Sequence, residues 1–223
     1  MEARLADQIV SIDPYLIPAD TKEHPWWSHK AYILVRVETK NGFIGWGECH
    51  NLSFREKAIV KIVQSIAPTL RGRPAGDIRV LSNSAFNHFG QQRPGLDVYC
   101  AFAGIEIGLW DILGKRLGVP VYELLGGKLH ESVPVYANIY SPFPQSAKGF
   151  AEMAALQVAK GHKIIKLYPF NAETPISQGI KVLEAVREAV GPNIGLAVDL
   201  WRHASPNRAL EIANAMKPYR LKW

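Results

Sequence analysis

The sequence predicts two regions of different fold class, an α+β region up to about residue 130 and an α/β region after it. In the first region, two strand-like runs flank a turn dipeptide, and helices with a clear apolar period follow them. Beyond residue 130, strands and helices alternate with short connections. A hairpin followed by helices is typical of an α+β domain, whereas alternation is typical of a parallel sheet built from βα units.

The first predicted element is a β-hairpin in AYILVRVETKNGFIGWGE, residues 31–48. Ile33, Val35 and Val37 alternate along its first strand and therefore share one face. The dipeptide Asn41-Gly42 suits the positive φ angles of a tight turn. We therefore expect two antiparallel strands joined at this dipeptide.

A helix from about 55 to 66 is predicted after the hairpin. Ser53 and Glu56 form a capping-box pattern at its start, and Pro68 marks its end. Its apolar residues recur at helical spacing and predict one buried face: Ile59, Ile62, Val63 and Ile66.

A longer helix is predicted from about 97 to 117, with Gly118 as its stop. It contains small residues that would let another element approach its backbone closely, namely Ala101, Ala103, Gly104 and Gly108. A glycine inside a helix costs on the order of 1 kcal/mol relative to alanine. Two such glycines therefore indicate a close packing contact.

The α/β region is predicted from alternating strand and helix patterns. Strands are predicted in VPVYANIY, KIIKLY and IGLAVDL, and RLKW begins a fourth. Helices are predicted from 146 to 160, from 175 to 190 and from 206 to 216. No GxGxxG motif follows any strand, so the pattern fits a barrel or a doubly wound sheet but does not support a dinucleotide-binding fold.

Composition limits the class of protein. The chain has 223 residues, 48% of them apolar, and its apolar runs are far shorter than the roughly 20 residues of a membrane span. The N-terminus lacks a signal-peptide pattern, so we expect a soluble, cytoplasmic protein with no membrane partner. Cys49 and Cys100 belong to no paired motif and are expected to be buried and unbridged.

The charge pattern bears on the partner. The chain carries 26 Lys plus Arg against 20 Asp plus Glu, a net charge of +6. The basic residues are scattered and form no patch interleaved with aromatic residues, so nucleic acid is not expected as a partner. A small anionic substrate fits the charge balance better.

Polar residues stand where the predicted strands end, which is where parallel βα sheets place their active sites. Lys166 and Tyr168 end the second strand, and Asp199 and Trp201 end the third. Lys166 and Asp199 are therefore expected within reach of one ligand. Two interpretations are open: a structural ion pair, or a hard divalent cation on Asp199 with Lys166 as a proton-transfer group.

The stretch AGIEIGLWDILGKRLGVPVYELLGG, residues 103–127, resembles the helix and turn that close the capping domain of the mandelate racemase and muconate lactonizing enzyme group in the enolase superfamily. The hairpin ending in GWGE and the later βα units resemble the same proteins. The resemblance implies an α+β capping domain over residues 1–130. It also implies that residues 131–223 are the first βα units of a modified (β/α)7β TIM-like barrel, truncated at strand four.

The resemblance implies a magnesium ion held by three acids on successive strands, and a base that removes the proton α to a carboxylate. Asp199 matches the first metal ligand, and Lys166 matches the first lysine of a KxK motif. Tyr168 stands in place of the second lysine, and KLYPF resembles members that dehydrate acid sugars. The remaining Mg2+ ligands are expected beyond residue 223, so the chain alone is expected to be inactive.

The implied reaction is magnesium-dependent proton abstraction from a small anionic carboxylate, followed by dehydration of an acid sugar. A racemase or cycloisomerase of the same superfamily is the alternative, and a non-catalytic homologue or fragment is another. A homo-oligomer is also expected.

The resemblance adds further candidate site residues. His203 is a candidate acid for the leaving hydroxide, and Trp201 occupies a position where many members have Asn or His. The two loops that resemble the family's specificity loops contain candidate substrate-binding residues: His24, Trp26, Trp27, His29 and His50.

Overall fold

The computed structural model describes residues 7–18, 31–90, 95–140, 146–200 and 204–223. The chain divides into two compact units, Met1–Leu129 and His130–Trp223. Within the described ranges, no helix has the length and apolarity that crossing a membrane requires.

The first unit contains a three-stranded antiparallel sheet in the order β1-β2-β3. Its strands are β1 Ile9–Pro18, β2 Ala31–Thr39 and β3 Ile44–Cys49. Ile33, Val35 and Val37 on β2 are fully buried, which confirms the face predicted from their alternation.

The predicted hairpin joins β2 to β3, but its turn differs from the prediction. Glu38 pairs with Ile44, and the Thr39 N–H donates to the Phe43 carbonyl at 2.9 Å. Of the predicted dipeptide, only Gly42 has a positive φ, of 84°. The connection is longer than a two-residue turn, so it requires the left-handed conformation at a single position.

Helices follow the sheet in the first unit: α1 Glu56–Leu70, α2 Ile78–Gly90, α3 Leu96–Leu117 and α4 Val121–Leu124. Two of them, α1 and α3, confirm predicted helices, whereas α2 has no counterpart among the predicted elements. The helix α1 continues through Pro68, which removes one backbone donor from its last turn. Gly118 ends α3 with a left-handed φ of 71°, as predicted.

The predicted capping box at Ser53 and Glu56 is wrong. Arg55 is the N-cap of α1, and its side chain makes no capping hydrogen bond. Phe54 adopts a left-handed φ of 68°, and its N–H donates to Glu56 Oε1 at 3.2 Å. Because Arg55 and not Ser53 is the N-cap residue, the Ser53 hydroxyl does not occupy the capping position.

The glycines of α3 confirm the predicted close packing contact, and the partner is β3. A Cβ added at Gly47 would lie 1.9 Å from the Gly104 carbonyl oxygen, and one added at Gly45 would lie 2.0 Å from the Gly108 carbonyl oxygen. The strand and the helix therefore pack backbone against backbone. Ala103 is exposed and takes no part in this contact.

The second unit contains a parallel sheet in the order β4-β5-β6. Its strands are β4 Ala137–Asn138, β5 Ile164–Leu167 and β6 Gly195–Val198. The helices α5 Ala147–Ala159, α6 Ile176–Val190 and α7 Pro206–Met216 alternate with them. This order confirms the predicted alternation of strands and helices.

The predicted first and fourth strands of the second unit differ most from the structure. Only Ala137–Asn138 of VPVYANIY forms a strand. The segment RLKW is not assigned as a strand, but it lies along β6 through two backbone hydrogen bonds. The Lys222 N–H donates to the Leu196 carbonyl at 2.7 Å, and the Val198 N–H donates to the Trp223 carbonyl at 3.0 Å.

Arg187 near the end of α6 connects three segments of the second unit. Its Nη1 donates to the carbonyls of Gly191 and Ile194, at 2.9 and 2.7 Å. Its Nη2 donates to the Tyr219 carbonyl at 3.2 Å. One guanidinium thus holds the helix end, the approach to β6 and the turn after α7 together.

Candidate active site

The pairing of neighbouring strands brings three segments of the second unit to one edge of the sheet. Asn138 on β4 pairs with Lys166 on β5, and Lys166 pairs with Ala197 on β6. Asp199 directly follows β6, and its N–H donates to the Leu167 carbonyl at 3.1 Å. Lys166 therefore lies on the central strand, with Asp199 at the end of its neighbour.

Lys166 and Asp199 form a close ion pair at this edge. Lys166 Nζ lies 2.7 Å from Asp199 Oδ2, and the residue is only 9% exposed. This distance confirms that the two side chains are within reach of one ligand. The hydrogen bond to Asp199, with a further contribution from a hydrogen bond to Tyr168, raises the pKa of Lys166 above its ordinary value against the opposing effect of burial. Lys166 is therefore a cation in this arrangement.

Three aromatic rings surround the Lys166 ammonium. Lys166 Nζ lies 4.9 Å from the ring centroid of Tyr168, 5.4 Å from that of Trp223 and 5.7 Å from that of Tyr136. Tyr136 and Trp223 also contact each other edge to face, with centroids 5.6 Å apart. Rings at these distances stabilise a cation through their negative faces.

A second tyrosine continues this network away from Lys166. The rings of Tyr140 and Tyr168 stack with centroids 5.3 Å apart and an interplanar angle of 9°. Asn138 Nδ2 donates to the Tyr140 hydroxyl at 3.3 Å. Burial, followed by a hydrogen bond with Tyr168, raises the pKa of Tyr140 to about 12, so Tyr140 is a neutral phenol near neutral pH.

The sequence patterns assign no role to Tyr136, Tyr140 or Trp223. Tyr136 and Tyr140 share the alternation of Asn138, and Asn138 pairs with Lys166. This alternation could have indicated that Tyr136 and Tyr140 lie near Lys166. It does so only when the register between β4 and β5 is known. Trp223 belongs to the predicted fourth strand, whose neighbour β6 leads to Asp199.

The described residues offer one candidate metal ligand at this edge, Asp199. No group of three or more His, Cys, Asp or Glu side chains in the described ranges is arranged to hold a metal ion. Asp199 offers a carboxylate, which is the ligand type that Mg2+ prefers, but its Oδ2 contacts the Lys166 ammonium. Asp199 as a magnesium ligand therefore stays a prediction.

The remaining predicted site residues fall in two groups. Six lie outside the described residues: His24, Trp26, Trp27, His29, Trp201 and His203. His50 is described and is exposed directly after β3 in the first unit. Its predicted role in substrate binding stays a prediction.

Comparison with known protein families covers both units. Residues 1–126 match the mandelate racemase / muconate lactonizing enzyme N-terminal domain. The chain belongs to the mandelate racemase/muconate lactonizing enzyme family. Residues 149–223 match the enolase C-terminal domain-like family. The fold is accordingly that of the enolase superfamily, with an N-terminal capping domain followed by a barrel domain.

Relatives of this family member carry out several reactions. A D-gluconate dehydratase of Thermoproteus tenax is 30% identical over 95% of this chain and 43% of its own length. A D-galactarolactone cycloisomerase of Agrobacterium fabrum is 29% identical over 88% of this chain and 51% of its own length. An N-succinyl-L-Arg/Lys racemase of Bacillus cereus is 31% identical over 80% of this chain and 47% of its own length. The chain spans about half the length of the curated relatives it matches.

Solved structures agree with this assignment. A 3,6-anhydro-D-galactonate cycloisomerase from Zobellia galactanivorans superposes with a TM-score of 0.83 at 26% identity, covering 97% of this chain and 57% of that one. A mandelate racemase/muconate lactonizing enzyme from Jannaschia sp. CCS1 also superposes with a TM-score of 0.83. The identity is 28%, and the match covers 96% of this chain and 60% of that one.

Proposed function

We propose that the full-length protein removes the proton α to the carboxylate of an acid sugar and dehydrates the sugar to a 2-keto acid. The observation that carries the proposal is the Lys166–Asp199 pair, 2.7 Å apart at the ends of neighbouring parallel strands. The family of the chain and its dehydratase relatives support the proposal. Lys166 is proposed to match the family's catalytic lysine, and Asp199 its first metal ligand.

Lys166 is the proposed proton-transfer group. It is buried on the central strand, and its ammonium is oriented by Asp199 and Tyr168. A buried amine held in one orientation meets the geometric requirement for proton transfer better than a mobile surface lysine does. Lys166 accepts the α proton only in its neutral form, after its ammonium has released a proton, and as the ammonium it can return a proton to the substrate. Tyr168 is proposed to contact the substrate beside it, because its ring lies 4.9 Å from Lys166 Nζ.

The proposed cofactor is Mg2+ with Asp199 as one ligand. When bound, such a cation stabilises the negative charge that develops on the substrate carboxylate. The remaining ligands are proposed to come from the part of the relatives' length that this chain does not span. His203 is proposed as the acid for the leaving hydroxide. The proposed substrate-binding residues are Trp201, His50, His24, Trp26, Trp27 and His29.

Racemization or cycloisomerization is the second candidate function. It is favoured by one specific observation, the similarity to the cycloisomerase of Agrobacterium fabrum and the racemase of Bacillus cereus. Both candidates begin with loss of the α proton, so Lys166 and Asp199 keep the same roles. They differ in whether a hydroxyl group leaves.

The test is to incubate the full-length protein with a panel of acid sugars in D2O and follow the α proton and the 2-keto product by NMR. We expect both exchange and keto product. Lys166→Met is expected to lower both by at least about 100-fold, the usual contribution of a positioned acid or base. Lys163→Met, at an exposed lysine just before β5, is the matched control.

The outcomes separate the candidates. Exchange without keto product would support the racemase or cycloisomerase instead of the dehydratase. Wild-type activity in Lys166→Met would contradict the role of Lys166 in either reaction.

Magnesium binding is tested separately, by isothermal titration of the full-length protein. Asp199→Asn is expected to weaken binding strongly, because it removes a charged ligand. Glu152→Gln, at an exposed carboxylate on α5, is the control. Equal affinity in the Asp199→Asn variant and the wild type would contradict the metal assignment.

A further inference from the structure

We propose that Tyr140 is a positioning residue that holds the phenol of Tyr168 against the Lys166 ammonium. The inference rests on the proposed function in one respect, since Lys166 and Tyr168 are taken to face the substrate. Tyr140 itself is given no contact with the substrate. Its role is to restrict the orientation of a neighbour.

The Tyr140 ring restricts the Tyr168 ring by stacking on it. Tyr140 lies two residues beyond β4, and Tyr168 directly follows β5, so the two rings extend from paired strands. Their interplanar angle is 9° and their centroids are 5.3 Å apart, within the range of favourable aromatic pairs. The χ2 torsion of a tyrosine has broad minima, so a flat neighbour restricts its rotation.

Tyr168 contacts both Lys166 and Tyr140, and Tyr140 is itself held by a hydrogen bond. Lys166 Nζ lies 4.9 Å from the ring centroid of Tyr168, and the Tyr140 ring stacks on that same ring. Asn138 Nδ2 on β4 donates to the Tyr140 hydroxyl at 3.3 Å. The orientation of Tyr140 is therefore fixed from β4, and Tyr140 in turn restricts the ring that contacts Lys166.

Tyr140 suits positioning better than proton transfer. Burial raises the pKa of Tyr140 to about 12, so its hydroxyl keeps its proton at any pH near neutrality. A neutral, partly buried phenol supplies a flat face and a fixed hydrogen bond without changing charge.

The kinetic test compares two variants of the full-length enzyme with the wild type. Tyr140→Leu removes both the stack and the hydroxyl, and it is expected to lower kcat by about 10- to 100-fold with little change in KM, since a small misplacement of a reacting group has effects of this size. Tyr140→Phe keeps the stack and is expected to retain most of kcat. Tyr122→Leu, at an exposed tyrosine on α4, controls for the loss of a tyrosine.

A second measurement does not depend on activity. In protein labelled with 13C at the lysine ε-carbons, the Lys166 methylene is assigned by its absence in Lys166→Arg. The rings of Tyr136, Tyr168 and Trp223 are expected to displace its resonance from that of exposed lysines. In Tyr140→Leu its chemical shift is expected to move toward that of exposed lysines. In Tyr140→Phe it is expected to stay as in the wild type.

Each result has a defined meaning. A Tyr140→Leu variant with an unmoved resonance and wild-type kcat, or a Tyr140→Phe variant as impaired as Tyr140→Leu, would overturn the inference. If no acid sugar reacts but the resonance moves as expected, the positioning role stands and the proposed function fails. If Tyr140→Leu does not fold, Tyr140→Phe decides, because a resonance at the exposed position in that variant would contradict the ring stack.

Discussion

The contact between β3 and α3 gives a quantitative prediction for Gly47→Ala. The added Cβ would lie 1.9 Å from the Gly104 carbonyl oxygen, 2.8 Å from the Gly108 nitrogen and 2.9 Å from the Gly104 carbonyl carbon. All three are backbone atoms of a helix, so no side chain can rotate away. The strand must instead move off the helix by about 1 Å, which weakens dispersion contacts along the interface by a quarter to a half.

We expect this displacement to lower the free energy of unfolding by about 3 kcal/mol, the upper part of the range for overpacked cores. The melting temperature should fall by about 6 to 12 °C at this chain size. The change in melting temperature is measured by thermal unfolding monitored with circular dichroism.

Gly95→Ala is the matched control, because a Cβ there meets no atom within 4 Å. It should cost no more than about 1 kcal/mol as the N-cap of α3. A Gly47→Ala variant within about 2 °C of this control would refute the close packing derived from the glycines, because even 1 kcal/mol moves the melting temperature by that amount.

Two further predictions concern the core and the second unit. Arg187→Met should destabilise the protein by about 2 to 3 kcal/mol, because three carbonyls lose a charged donor, and chemical denaturation should show a smaller loss for Arg187→Lys. The thiols of Cys49 and Cys100 should react with a disulfide reagent at pH 8 only after denaturation, because burial raises the pKa of both and that of Cys49 to about 12. Both thiols then stay protonated throughout the neutral range, and rapid labelling of the native protein would contradict this expectation.

The central pair of the site could be predicted because two simple rules determine its geometry. Lys166 lies in an apolar run and Asp199 follows one, and parallel strands bring their carboxyl ends to one edge. No detail of packing is needed for that conclusion. The same holds for Gly104 and Gly108, whose cost inside a helix predicts a close neighbour before that neighbour is known.

Other features depend on local conformation or register that residue patterns do not specify. The capping box at Ser53 failed because Phe54 adopts a left-handed conformation, which is uncommon for a bulky residue. The stack of Tyr140 on Tyr168 requires the register of β4 against β5, and aromatic residues near strand ends are common in any sheet. The roles of Trp201 and His203 stay predictions because both lie outside the described residues.

The position of Trp223 allows the site to be followed by tryptophan fluorescence. Its indole lies 5.4 Å from the Lys166 ammonium and packs edge to face on Tyr136. Indole emission depends on the electric field of nearby charges. A molecule that displaces Asp199 from Lys166 should therefore change the emission wavelength or intensity of Trp223. The chain has 6 tryptophans, and the difference spectrum between wild type and Trp223→Phe isolates the contribution of this one. The protein therefore contains its own optical probe of events at Lys166, without an attached dye.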